Sequence, residues 1–318
     1  MAKRVMQSPV FWQGATLVML VLFVTTLLFD VRIIPRNRSL SDSARKQDAR
    51  AVLTANAEGG GEGADDATLS ALVLPLEGVE IPVDWSDIGK QLVDTGVIDR
   101  GRFEALHAQR GGLSPEVAAL LSGTLDGRMR INEANSGELL NVLWAFGLAN
   151  KNAILEEGPM QDERYGGAGG FASTGGWTLA AGDAMEHYSA HEFVTLSTEQ
   201  QALVERVAMG IHRPCCGNST YFPDCNHGMA MLGLLEVLAS QGATETDMYN
   251  IALSVNSYWF PSTYLTIAKY EFAQGIQWQN VDAKQILSAE YSSGSGYRNI
   301  AAQVEPVSKQ GGGGGCGV

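Results

Sequence analysis

The sequence predicts a mainly α protein: an irregular helical globular domain behind one N-terminal transmembrane helix. Three observations predict it. An uncharged apolar run lies close to the amino terminus. Beyond residue 71, apolar residues recur at helical spacing between recognisable caps. No stretch alternates as a convincing strand.

The anchor comes first. Val10 to Phe29 is twenty residues without a charge, VFWQGATLVMLVLFVTTLLF. As a helix it is about 30 Å long, the thickness of a bilayer core. No small-x-small cleavage site follows, because the next residues are Asp30, Val31 and Arg32. Residues 1–30 are therefore read as an uncleaved single-pass anchor, with the lipid bilayer as the partner of residues 10–29. Two signals for topology conflict. Arg32, Arg36, Arg38, Arg45 and Lys46 outnumber Lys3 and Arg4 across the helix, which favours a cytoplasmic carboxyl side. A nine-residue tail before an apolar helix is the usual form of an N-in signal-anchor. We follow the second signal and expect an extracytoplasmic body.

Residues 31–70 are small, polar and glycine-rich, and read as a flexible linker. The soluble helical body is expected over 71–305, opening with one short extended piece in LVLPLEGVEIPVDW. Short amphipathic runs follow, DIGKQLVDTGVI and DRGRFEALHAQ. Ser114 and Pro115 supply an N-cap and a proline N1 for the next helix. SGELLNVLWAFGLANKN follows at helical spacing. Glycines crowd residues 163–177, a candidate subdomain break. A helix is expected again in AAGDAMEHYSAHEFV. Ser197 and Gln200 form a capping box for another. NHGMAMLGLLEVLASQG is apolar nearly all round and reads as a buried central helix. Thr244, Pro261 and Asp282 start three more. Residues 306–318 form a glycine-rich tail ending in Cys316-Gly317-Val318.

Charge limits the partners. Residues 47–318 hold 15 basic and 33 acidic side chains, so nucleic acid is not expected as a ligand. There is no Walker loop, dinucleotide fingerprint, nucleophile elbow or haem-attachment motif.

The chemistry concentrates in one segment. GIHRPCCGNSTYFPDCNHGMAML, residues 210–232, holds three of four cysteines and two of five histidines. His212, Cys215, Cys216, Cys225 and His227 form H-x2-C-C-x8-C-x-H, a donor set suited to soft or borderline metals. Cys225 lies just before the apolar helix, whose free amides are expected to lower its thiol pKa. His187 and His191, four apart, would share one face of a helix as a two-histidine clamp. Met229 and Met231 are softer candidates, better read as core filling. Adjacent cysteines oppose a shared metal because their side chains diverge. A structural disulfide from Cys215 or Cys216 to Cys225 is the plain alternative. Cys316, on its glycine arm, reads as a mobile thiol that exchanges with that disulfide, delivers a metal, or completes the ligand set. The tail alone resembles the swinging redox tails of some thioredoxin reductases.

IPVDWSDIGKQLVDTGVID, LLNVLWAFGLANKN, RPCCGNSTYFPDCNHGMAMLGLLE, VNSYWFPSTYLTIAKY and GCGV resemble an uncharacterised family of bacterial single-pass membrane-anchored proteins. The resemblance covers roughly residues 72–318. It implies that body and tail belong together, and no activity.

The functional expectation is a membrane-anchored protein that binds zinc, copper or iron through Cys215, Cys216, Cys225 and His227. His187, His191 and His212 are secondary ligands, and haem held by His/Met is a lesser option. The alternatives are a thiol–disulfide redox protein with Cys316 as its arm, and an anchored scaffold with a structural disulfide.

Overall fold

The computed structural model describes residues 66–307. The anchor at 10–29, the linker up to residue 65 and Cys316 lie outside the described residues.

The described part is mainly helical, as expected. It opens with α1 (Asp66–Val73), which begins inside the segment read as linker. Leu69 and Val73 are buried, and α1 packs against a later helix, so residues 66–70 belong to the body. The extended piece is β1 (Val79–Glu80), paired antiparallel with β2 (Arg130–Ile131). Between them lie α2 (Ile88–Asp94), α3 (Arg100–Ala108) and α4 (Pro115–Ser122). Ser114 caps α4 through its hydroxyl, Pro115 stands at N1, and Gly123 ends it at φ 68°, a left-handed conformation that glycine takes without strain.

Two long helices form the centre: α5 (Ser136–Ala149) and α8 (Asn226–Ser240). Thirteen of fourteen residues in α5 and fourteen of fifteen in α8 are buried. These helices are apolar nearly all round because protein surrounds them on every side. They cross at Gly147 and Gly233. A Cβ on Gly147 would lie 2.2 Å from the Met229 carbonyl, and one on Gly233 would lie 2.6 Å from the Leu143 carbonyl. Only glycine lets the two backbones approach this closely. Against the pair pack α7 (Thr198–Gly210) and α9 (Glu245–Trp259); α10 (Pro261–Ala273) packs on α9, and α6 (Ala153–Glu157) follows α5 in the chain. The short helices α11 (Ala283–Ile286), α12 (Ala289–Ser292) and α13 (Gly294–Ala301) close the body. Capping boxes are present at Ser197/Gln200 and Thr244/Asp247, and Asp282 caps α11.

Three sequence expectations change here. Residues 163–177 do not divide the body, since the described residues 66–307 fall within one compact unit. The glycine-rich segment folds into short 3-10 turns, with Ser173 and Thr174 fully buried. Trp144 Nε1 donates to the Ser173 carbonyl at 2.7 Å, which ties the segment to α5. Second, no α-helix spans AAGDAMEHYSAHEFV. A single 3-10 turn, Ala184–Glu186, is capped by Asp183, and Ser189 at φ 50° breaks the run. Third, Pro306 and Val307 are not tail. Val307 is buried and its N–H donates to Thr266 Oγ1 at 3.0 Å. Among the described residues, no helix is long and apolar enough to cross a membrane.

Candidate metal centre

The loop between α7 and α8 carries the cysteines, and one buried cation organises it. Arg213 is fully buried. Its guanidinium donates to the Ser219 carbonyl at 2.8 Å, the Phe222 carbonyl at 3.1 Å and Asp224 Oδ1 at 2.7 Å. Three contacts from one planar group pull both limbs of the loop together. The Asp224 carboxyl is completed by Asn218 Nδ2 at 2.9 Å. Gly228, in the first turn of α8, is required beneath the guanidinium, because a Cβ there would stand 2.7 Å from Arg213 Cζ. The near limb is pinned from outside. The His212 N–H donates to the Leu287 carbonyl at 2.8 Å, and the Gly294 N–H to the Cys216 carbonyl at 2.8 Å.

This scaffold turns the chain at residues 213–216, and the adjacent cysteines converge instead of diverging. The Sγ atoms of Cys215, Cys216 and Cys225 all lie within 4.8 Å of one another, and Cys215 and Cys225 are 3.7 Å apart. Cys215 is exposed, while Cys216 and Cys225 are half-buried. No disulfide joins them. These three sulfurs are the one group of side chains among the described residues whose donor atoms are gathered closely enough to hold a metal ion.

The thiols share their charge unequally. Cys216 has its pKa pushed down, by contacts with the Cys215 and Cys225 thiols, then by Arg213 and the Asn218 amide. Cys215 is pushed up by the same two sulfur contacts and by burial. The expected depression at Cys225 is not found. Contact with Cys215, the Arg213 charge and the Gly228 amide lower it, but the Cys216 neighbour and burial outweigh them and leave it raised. The thiolate favoured by this environment is therefore Cys216, with Arg213 as its counter-charge.

The histidines stand apart from the sulfur group. His227, in the first turn of α8, is fully buried. Its ring faces Phe260 at 4.4 Å and Trp259 at 5.9 Å between centroids. Burial lowers its pKa to about 3, so the ring is neutral. His212 is half-buried and pairs through its backbone with Ser219. His187 and His191 do meet, with His187 Nδ1 3.1 Å from His191 Nε2, but by an irregular turn and not on a helix face. That pair sits beside the end of α5, where His191 bridges Asn150. Met229 and Met231 are fully buried core residues.

Sequence reasoning missed Arg213, Asp224 and Asn256. An arginine and an aspartate bracketing two of the cysteines, in an otherwise uncharged segment, was the available signal for the first two. Comparison of the chain with family models, with characterised proteins and with solved structures finds no match.

Proposed function

We propose that this chain is a membrane-anchored protein whose extracytoplasmic body binds a soft or borderline metal ion at Cys215, Cys216 and Cys225. One observation carries the reading: three sulfurs from two limbs of one loop meet without a disulfide. Two thiolates at 2.3 Å from a tetrahedral zinc stand roughly 3.8 Å apart. The Cys215–Cys225 separation is 3.7 Å. The positive charge of Arg213 lowers the cost of deprotonating the set, which metal binding requires. Zinc and Cu(I) fit the donors best, and iron less well. The reading carries only the three sulfurs forward. His187, His191 and His212 are left out because their ring nitrogens lie outside the group.

The test is elemental analysis of protein purified without chelator, wild type beside Cys225→Ala. The expected result is close to one metal per wild-type chain and less than a tenth of that in the variant. A metal-free wild type with every cysteine titrating as free thiol overturns the reading.

A second reading rests on the same loop. The Cys215–Cys225 contact and the favoured Cys216 thiolate suit a dithiol that loses two electrons and two protons to become a disulfide. Metal-free protein whose thiol count falls by two on mild oxidation, and recovers on reduction, supports it.

A further inference from the structure

Buried polar atoms in native proteins are almost always hydrogen-bonded, so a cluster of exceptions needs an explanation. Among the described residues, eleven buried side-chain nitrogen and oxygen atoms have no partner. Six of them belong to four residues: His212 Nδ1, Arg213 Nε, both ring nitrogens of His227 and both amide atoms of Asn256. His212 and Arg213 lie in the cysteine loop, and His227 lies two residues past Cys225. Asn256 lies on α9, three and four residues before the Trp259 and Phe260 rings that contact His227, and so on the same face of that helix. Tyr264 completes the layer. It is fully buried, its hydroxyl bonds Ser292 Oγ at 2.9 Å, and it lies close to Asn256.

The layer adjoins the thiol loop. The Arg213 guanidinium packs against Gly228 of α8, the residue after His227, and His227 follows Cys225 by two positions. Three sulfurs leave one position of a tetrahedral metal unfilled. Neutral imidazole and carboxamide each offer a donor and an acceptor, and Arg213 adds a donor and positive charge. A large ligand does not fit a layer whose His227 and Tyr264 are fully buried. An apolar ligand would leave every orphaned atom unpaired.

We propose that His227 and Asn256 line an inner ligand position of the thiolate centre. That position takes one small oxygen or nitrogen donor, a water molecule or an anion of azide's size, bound between the metal and the imidazole. The inference rests on the metal reading and extends it: the centre is an open site with an exchangeable fourth ligand, not a closed structural one.

The experiment uses the full chain in detergent, loaded with one equivalent of Co(II), whose thiolate charge-transfer and d–d bands report coordination. Wild type should show three sulfurs and one light atom by X-ray absorption, and saturable band shifts on titration with azide. His227→Leu and Asn256→Leu should each keep one cobalt per chain and bind azide at least tenfold more weakly. Should His227→Leu fail to fold, Asn256→Leu decides alone. Cobalt uptake with four sulfurs, uptake without an azide response, or unchanged azide affinity in the folded variants overturns this inference and leaves the metal reading standing. Loss of cobalt in His227→Leu alone also overturns it, by making the imidazole a direct ligand. Absence of cobalt uptake by wild type overturns both.

Discussion

Gly147→Ala should destabilise the protein although it replaces a poor helix former with the best. The added Cβ would lie 2.2 Å from the Met229 carbonyl oxygen and 2.9 Å from the Gly233 nitrogen. Ordinary contact begins near 3.4 Å, so α5 and α8 must separate by about an ångström. The obstacle is backbone on both counts, and no rotamer change relieves it. Overpacking of this kind costs roughly 1–3 kcal/mol, and the rigid obstacle places this case at the upper end. Helix propensity returns up to about 1 kcal/mol. The net loss is about 2 kcal/mol, a fall of roughly 4–8 °C in Tm for a body of this size. Gly101→Ala is the control. Gly101 is exposed in the first turn of α3, and its Cβ would meet only Asp99 Oδ1 at 3.4 Å. There propensity acts unopposed, and stability should rise by a few tenths of a kcal/mol. The assay is thermal unfolding followed by circular dichroism at 222 nm. A Gly147→Ala protein as stable as wild type would refute the close crossing, and with it the placement of Cys225 at the head of α8.

Two further outcomes follow from buried charge. Glu236 is fully buried in α8, with one hydrogen bond, from Asn150 Nδ2 at 2.5 Å. Burial holds its pKa well above the usual carboxylate range. The folded state therefore binds this proton more tightly than the unfolded chain. Stability from this group is complete below the unfolded pKa of about 4.3 and is lost as pH rises toward the folded value, by about 1.4 kcal/mol per unit. Glu236→Gln removes that loss, so its advantage in denaturant midpoint should widen from pH 5 upward; parallel profiles for variant and wild type would contradict a buried, proton-binding carboxyl. Arg213→Lys keeps the charge but not the fork that holds Ser219, Phe222 and Asp224. It should cost about 3 kcal/mol and speed labelling of Cys216 and Cys225 by Ellman's reagent severalfold, and an unchanged labelling rate would show that the guanidinium does not hold the loop.

Legibility in the sequence divides by range. The caps at Ser114, Ser197, Thr244 and Asp282 were readable because each is a contact between residues two or three apart. The uniform apolarity of α8 identified a central helix for the same reason. The His187–His191 spacing reads as helical in the sequence, but a helical repeat carries no record of what interrupts it. Asp183 draws the Met185 amide into a local turn, and Ser189 enters the left-handed region. The glycines of 163–177 read as a break in the sequence, yet in the fold they serve close packing. A Cβ on Gly175 would stand 2.3 Å from the Gly169 carbonyl, and one on Gly176 would stand 2.2 Å from that of Ala172. Glycine tolerates both looseness and contact, and composition does not choose between them.

The thiol site shows the same division within one loop. That cysteines gather at residues 215–225 is a property of the chain. That Cys215 and Cys216 point to one place depends on Arg213 bonding Ser219, Phe222 and Asp224, and on Gly294 and Leu287 holding the near limb from more than seventy residues away. The objection that neighbouring cysteines diverge is correct for an extended strand and fails for a turn clamped from below. The histidines fail in the opposite sense. His227 has the right spacing from Cys225, but the first turn of α8 carries its ring to the Trp259–Phe260 side. Spacing therefore anticipated the gathering of the three sulfurs for an incomplete reason and did not anticipate that the His227 ring lies outside their group. What separates the two cases is the buried guanidinium: it fixes the loop that bears the thiols, whereas the first turn of α8 sets the His227 ring against Trp259 and Phe260.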